Sequence, residues 1–454
     1  MKAIIKTAVL TMMLATAGAS LVQADDISLT VYNSNLGVVR ETRNLTFVQG
    51  NGRIAFTDVA AQIDPTSVSF ELADPKLAVA ILEQNYAYDL VSPDKIYGKY
   101  IDQDIEIVTE KGELFSGTLL SFTGGYLVIK QKDGKIRSIL QGVVRDVSFP
   151  ELPDGLITRP TLFWLYNSNF AGPADALVSY QTSGIDWQAE YVGVLSNDEK
   201  TMELTGWVSI DNKSGKTYKD AKLKVIAGDI SRVRQQPIYR TDMMEAQVMA
   251  MPKAAGFEEK PFFEYHLYTL PRPATIADNE IKQVTMFEPA RAAVQKEYQY
   301  MAEPGQTDVT VFIKTTNTKE VGLGMPLPAG RVRIFKADSD GSMILLGEDR
   351  IDHTPRNEEV KLTVGRAFDV VGKTTTVAQR RITDQINETD FSIEVRNQKD
   401  TPVTVKVTKN LGAYWEITKT SRDYVKKSAS EVEWLVDIPA EGKGVIDFTV
   451  RYTH

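Results

Sequence analysis

The stretch DIEIVTEKGELFSGTLLSFTGGYLVIKQKDGKIRSILQGVVRDVSF, residues 104–149, decides the fold class. Residues 104–109, 113–121, 126–131, 135–140 and 144–149 read as five short strands, with the alternation of apolar and polar residues clearest in 104–109. That is the period of a half-buried strand, whose successive side chains point to opposite faces. Lys111-Gly112, Gly124-Gly125, Asp133-Gly134 and Gln141-Gly142 separate the runs with residues that accept tight turns. Five such strands predict a meander, closed on itself because an isolated hairpin cannot bury its apolar face.

The same alternation recurs on both sides. Leu29-Thr30-Val31-Tyr32 and Gly37-Val38-Val39-Arg40-Glu41-Thr42, with Gln49-Gly50-Asn51-Gly52, Asp64-Pro65 and Asp74-Pro75 as turn signals, predict an N-terminal β module over 25–95. In 151–230, the first part of a β-sandwich region, Trp187, Ala189 and Tyr191 share one strand face and Leu204, Gly206 and Val208 another. Asn212-Lys213-Ser214-Gly215 then turns into alternating Ala221, Leu223, Val225 and Ala227. Trp187 and Trp207 read as core residues rather than a sugar-stacking platform. Segments 309–315, 331–337, 343–348, 360–364, 391–397 and 403–409, with the final Ile446, Phe448, Val450 and Tyr452, predict a C-terminal β-sandwich region over 261–454. A short helix is expected from Pro289 to Met301, with proline in its first turn and Pro304-Gly305 beyond its end. Residues 231–260 carry Pro237, Pro252, Met243, Met244, Met249 and Met251 without a sustained period, and read as a Met-rich linker or insertion.

The expected fold class is therefore all-β: serial antiparallel β-sandwich modules with a small barrel inserted at 96–150. That insert resembles Sm-like and SH3-like barrels. Some Sm-like barrels bind RNA, but residues 98–150 hold seven basic and seven acidic side chains. Phosphate neutralisation needs a basic face, so no nucleic-acid partner is expected.

The first residues read as an export signal. Lys2 and Lys6 precede an apolar run from Thr7 to Leu14 and a small-residue stretch, and Val22-Gln23-Ala24 fits a signal peptidase, giving a signal peptide over 1–24 cleaved after Ala24. No later segment approaches the roughly 18 consecutive apolar residues of a spanning helix, so the mature chain is expected in the periplasm or secreted, without a transmembrane helix. With no cysteine the chain has neither disulfides nor the lipidated Cys of a lipoprotein. Loss of Lys2 and Lys6 leaves 50 basic against 60 acidic side chains, moving the formal charge from -8 to -10. Dispersed acidity of this kind serves solubility.

Local catalytic templates fail on spacing. There is no Cys nucleophile and no G-x-S-x-G elbow. His266, His353 and His454 stand far apart, outside any H-E-x-x-H arrangement. Gly372-Lys373-Thr374 looks like the end of a P-loop, but the required earlier glycine position is Ala367, so Lys373 reads as a solvated turn residue. The methionines invite a copper reading, against which a linker or contact role stands. No catalytic, cofactor-binding or metal residues are assigned and no cofactor is expected.

Five phrases occur in order: Ile185-Asp186-Trp187-Gln188-Ala189-Glu190-Tyr191, Asn212-Lys213-Ser214-Gly215 with Leu223 to Gly228, Met325-Pro326-Leu327-Pro328-Ala329-Gly330, Gly347-Glu348-Asp349-Arg350-Ile351, and Gly365-Arg366-Ala367-Phe368-Asp369-Val370. Together they resemble the exported bacterial proteins that carry domain of unknown function 4139, from about Arg159 to the C-terminus. Asp64-Pro65-Thr66-Ser67-Val68 is similar to the region before this domain in mucoidy-inhibitor-like proteins, although the small barrel departs from them, and no mucoidy role is carried over. The resemblance implies compartment and layout but no catalytic residues. The expected function is non-catalytic binding of another envelope protein or an envelope polymer such as a polysaccharide. The alternatives are a glycan hydrolase or lyase using carboxylates from separate strands, and an outer-membrane β-barrel.

Overall fold

The computed structural model describes residues 26–153, 155–228, 257–263 and 265–453. The expected signal peptide and its cleavage point, the four clustered methionines and His454 lie outside the described residues. The protein is nearly all β, 66% strand against 3% helix. Its described residues group into two compact units, one holding 26–28 with 39–181 and the other 29–38 with 182–453.

In the first unit, strand Thr161–Ser168 lies between antiparallel Gly50–Thr57 and Val79–Ala87. Its alternation buries Leu162, Trp164 and Tyr166, and the rings of Phe56 and Phe70 each lie 5.3 Å from Trp164. A charge is buried in this unit too. The Glu41 carboxylate is fully buried and accepts from Arg43 Nη2 at 2.6 Å and from the Tyr180 hydroxyl at 3.0 Å. The Arg43 guanidinium sits 3.9 Å from the centre of the Phe56 ring.

The meander has strands Asp104–Thr109, Leu114–Thr123, Tyr126–Gln131, Ile136–Leu140 and Val144–Ser148, with the last paired beside the first. Gly112, Gly124, Gly125 and Gly134 all have positive φ, the left-handed geometry that glycine adopts without steric cost. The hydrogen-bonded order is open, ending on Ile136–Leu140 and Val144–Ser148. Helix Pro93–Lys99 adds Tyr97 to a core of Ile105, Ile107, Leu119, Leu127 and Ile129. Ser92 caps this helix, its side chain accepting from Lys95 N at 3.4 Å.

The second unit contains a five-stranded sheet in the order Glu280–Ala293, Thr201–Asn212, Ile185–Leu195, Gly330–Ala337, Met343–Ile351. Ile185–Leu195 and Gly330–Ala337 run parallel, and the other neighbours are antiparallel. A nine-stranded sheet, which includes Gln295–Met301, Asp308–Thr316, Glu359–Arg381, Ile386–Asn397 and Lys443–Thr453, encloses a packed core. In that core the Phe448 ring lies 4.9 Å from Trp434 and 5.3 Å from Phe391.

Three local expectations are corrected here. The helix expected from Pro289 to Met301 is instead the end of strand Glu280–Ala293 followed by strand Gln295–Met301. Burial of Ala290, Ala292, Tyr298 and Tyr300 has a period of two, and Pro289 sits where the register slips between Leu204 and Gly206, a bulge that spares the missing N–H. Lys373 is not in a turn: it lies within strand Glu359–Arg381 opposite Glu394. Gly372 is required there by packing, since a Cβ would fall 2.3 Å from the Tyr300 ring. Trp187 is buried as expected, whereas Trp207 is only half-buried and lies in register with Glu190, on the opposite face of the sheet.

Candidate functional site: a polar cleft beside a proline-rich segment

Met325-Pro326-Leu327-Pro328 cannot form an ordinary ladder strand, because proline has no N–H to donate. Its carbonyls still need partners where they are buried. Asn317 Nδ2 donates to the Met325 carbonyl at 2.7 Å, the Tyr268 hydroxyl to Pro326 at 2.9 Å and the Tyr191 hydroxyl to Pro328 at 2.8 Å. Leu327 exchanges backbone hydrogen bonds with Thr354, both at 2.9 Å. Burial raises both tyrosine pKa values well above 10.0, so each phenol stays a neutral donor at any physiological pH. Gly330 closes the segment in register with Ala189, where a Cβ would fall 2.3 Å from the Ala189 carbonyl oxygen. The segment is thus pinned by buried side chains from three neighbouring elements.

The pinned segment forms one wall of a cleft of about 150 Å³. Pro328 and Ala329 line it together with Asn33, Asp186, Gln188, Arg350 and His353. His353 Nδ1 accepts from Ala329 N at 3.1 Å, which leaves the ring proton on Nε2. Asp186 Oδ1 accepts from Asn35 N at 3.4 Å. Trp187 closes the floor, its Nε1 donating to the Ile226 carbonyl at 3.0 Å.

One side of the cleft continues into an ion-paired row on the sheet surface. Gln188 Nε2 donates to Glu190 Oε1 at 2.9 Å, and the buried Glu190 carboxylate also receives Arg331 and Arg333 at 2.9 Å each. Arg333 shares itself with Glu348 at 2.9 Å. By register, Trp207, Glu190, Arg331 and Arg350 stand side by side across four adjacent strands. Arg331 and Arg333 are committed to Glu190, whereas the Arg350 guanidinium is exposed and has no carboxylate partner among the described residues. The cleft therefore offers one uncommitted cation, two amides and an imidazole beside a single carboxylate, Asp186. That set suits hydrogen bonding to a polar, negatively charged ligand.

The sequence singled out none of these side chains as site residues, yet it held a signal for them. Asp186 and Gln188 belong to the first of the five phrases, Pro328 and Ala329 to the third, and Arg350 to the fourth, so phrases far apart in the chain meet at this cleft. Of the histidines, His353 lies in the cleft. His266 pairs instead with Glu259 at 2.8 Å, and Arg356 holds the other oxygen of that carboxylate at 3.0 Å. Burial works to raise the Glu259 pKa, but these two partners outweigh it and keep the carboxyl below its ordinary value. Among the described residues no group of three His, Cys, Asp or Glu is placed to hold a metal ion.

The family model described as "Domain of unknown function (DUF4139)" matches residues 176–454. The chain belongs to the DUF4139 family. The matched DUF4139 region contains every cleft residue except Asn33. A search of the curated proteins returned no match.

Proposed function

We propose that this DUF4139 protein is an exported, non-catalytic binding protein of the bacterial envelope, and that its polar cleft takes an acidic envelope polymer. The observation that carries the reading is Arg350, an uncommitted guanidinium in a cleft whose wall is held rigid by buried hydrogen bonds. A cleft wall that is already pinned loses little entropy on binding, and a guanidinium meets a carboxylate in bidentate geometry. Export rests on the leader-like residues 1–24, and the likeness of Asp64 to Val68 to mucoidy-inhibitor-like proteins fits an envelope setting. A glycosidase mechanism needs two carboxyl groups flanking the scissile bond, and this cleft presents one. No helix among the described residues is long and apolar enough to cross a membrane. The nine-stranded sheet encloses packed side chains such as Trp434 and Phe448, which favours a globular domain over a lumen-forming barrel.

The test is binding of the purified mature protein to a carboxylated polysaccharide, polygalacturonate, with neutral dextran as control. Saturable binding to the first alone, weakened by salt, is expected. Cleavage of either polymer, abolished by Asp186→Asn, would replace the binding reading with an enzymatic one. Sequencing the N-terminus of the secreted or periplasmic protein checks export, with Asp25 expected first.

A further inference from the structure

The fifth phrase, Gly365 to Val370, plays no part in the polar cleft. It interrupts the longest strand among the described residues, Glu359–Arg381. Against strand Asp308–Thr316, Thr310 pairs with Arg366 but Asp308 pairs with Val371, so five steps on one strand oppose two on the other. The surplus residues swell out as a bulge, and bulges of this kind re-aim side chains. Ala367, Phe368 and Asp369 from the bulge line a second cleft, of about 190 Å³.

The walls of this cleft are largely apolar, with Leu195, Val311, Leu346 and Val364 among them. Phe368 lines it while remaining 95% exposed, although burying a phenylalanine is worth about 1.5–3 kcal/mol. Two lysines enter, each with its ammonium 5.6 Å from the centre of the Tyr298 ring. They are not equivalent. Lys296 is committed to Glu199, which also takes Lys336 at 2.7 Å. Lys399 is half-buried and donates to the Tyr298 hydroxyl at 3.1 Å, and no carboxylate lies within ion-pair distance of it among the described residues. Asp369 also lines the cleft on the exposed bulge, so the group formed by Lys296, Lys336, Lys399, Glu199 and Asp369 carries a net single positive charge.

We infer that this second cleft binds a single-chain anionic amphiphile, with the acyl chain against the apolar walls and Phe368 and the anionic head on Lys399. The ligand supplies both things the cleft lacks: apolar cover for an exposed ring and a counter-charge for a half-buried ammonium. A carboxylate from a free fatty acid and a phosphate monoester of an alkyl chain share this chemistry.

Calorimetric titration of the full mature protein with octanoate, octyl phosphate and uncharged octanol tests the inference. Saturable binding of octanoate or octyl phosphate, at least ten-fold tighter than octanol, is expected, and the stronger of the two identifies the head group. Lys399→Met should lower affinity for the anion at least ten-fold and leave octanol unchanged, Lys399→Arg should restore the anion, and Phe368→Asp should weaken all three ligands. Thermal melts of each variant separate loss of the site from loss of the fold. Absence of saturable binding by the wild-type protein, or equal affinity for octanoate and octanol, overturns the inference.

Discussion

Each unit buries a glutamate against arginine, and the two solve the same problem differently. Glu41 in the first unit is sealed: its arginine is 5% exposed, stacks on Phe56 and meets only internal partners. Glu190 in the second unit is nearly as buried, but Arg331 and Arg333 reach it from the surface, with side chains 46% and 29% exposed. A buried carboxylate needs compensation in either place. The first arrangement is structural, because both side chains of the pair are withdrawn from solvent. The second places arginines on a solvent-facing row that runs into a cleft, where Arg350 extends the row without a carboxylate of its own.

The contrast is broken most severely at Arg43. Arg43→Met should leave the Glu41 charge without its main partner and destabilise the protein by about 3–5 kcal/mol, read by urea unfolding. A loss below about 1 kcal/mol would mean that the remaining partners of Glu41, Tyr180 among them, compensate the charge. Glu190→Gln should cost less, about 1–2 kcal/mol, because the released arginines gain water and their pairing is partly screened already. A Glu190→Gln effect as large as that of Arg43→Met would erase the distinction between the sealed and the open pair.

The smallest effect is spread over the lysine-bound carboxylates of the second unit. Burial pushes the Glu199 and Glu297 pKa values up, but Lys296 and Lys336 around Glu199, and Lys406 and Lys361 around Glu297, outweigh it and hold both below 4.5. Asp390, gripped by Arg380 and Thr449, is held at about 2. A carboxyl depressed in the folded state contributes stability that is complete above its unfolded pKa and is lost as pH falls through the folded one. Thermal melts should therefore show a gradual decline beginning near pH 4.5 and continuing toward pH 2. A melting temperature unchanged from pH 6 to pH 3 would contradict these pairings.

Much of this fold was legible because strand burial has a period of two. Trp187, Ala189 and Tyr191 read as one face and are one face, and the 104–149 meander has nearly its expected limits. The errors came where a local signal had two physical uses. Pro289 looked like a helix start but occupies a bulge, while the true helix carries a conventional signature, Ser92-Pro93-Asp94, that the strand pattern around it obscured. The polar cleft was not legible from spacing, since Asn33, Asp186, Gln188, Arg350 and His353 lie up to 320 residues apart and only the folded chain brings them together. What the chain did carry was the set of phrases, among which the prolines of Met325 to Gly330 mark where backbone is pinned by side chains instead of a regular ladder.

The central claim is that the uncommitted guanidinium of Arg350 recognises an acidic polymer, and Arg350→Ala addresses it most directly. Because that side chain is exposed and unpaired, its removal should leave the melting temperature unchanged while affinity for polygalacturonate falls about ten-fold, or roughly 1.4 kcal/mol. Unaltered polygalacturonate affinity in a folded Arg350→Ala protein would contradict the account.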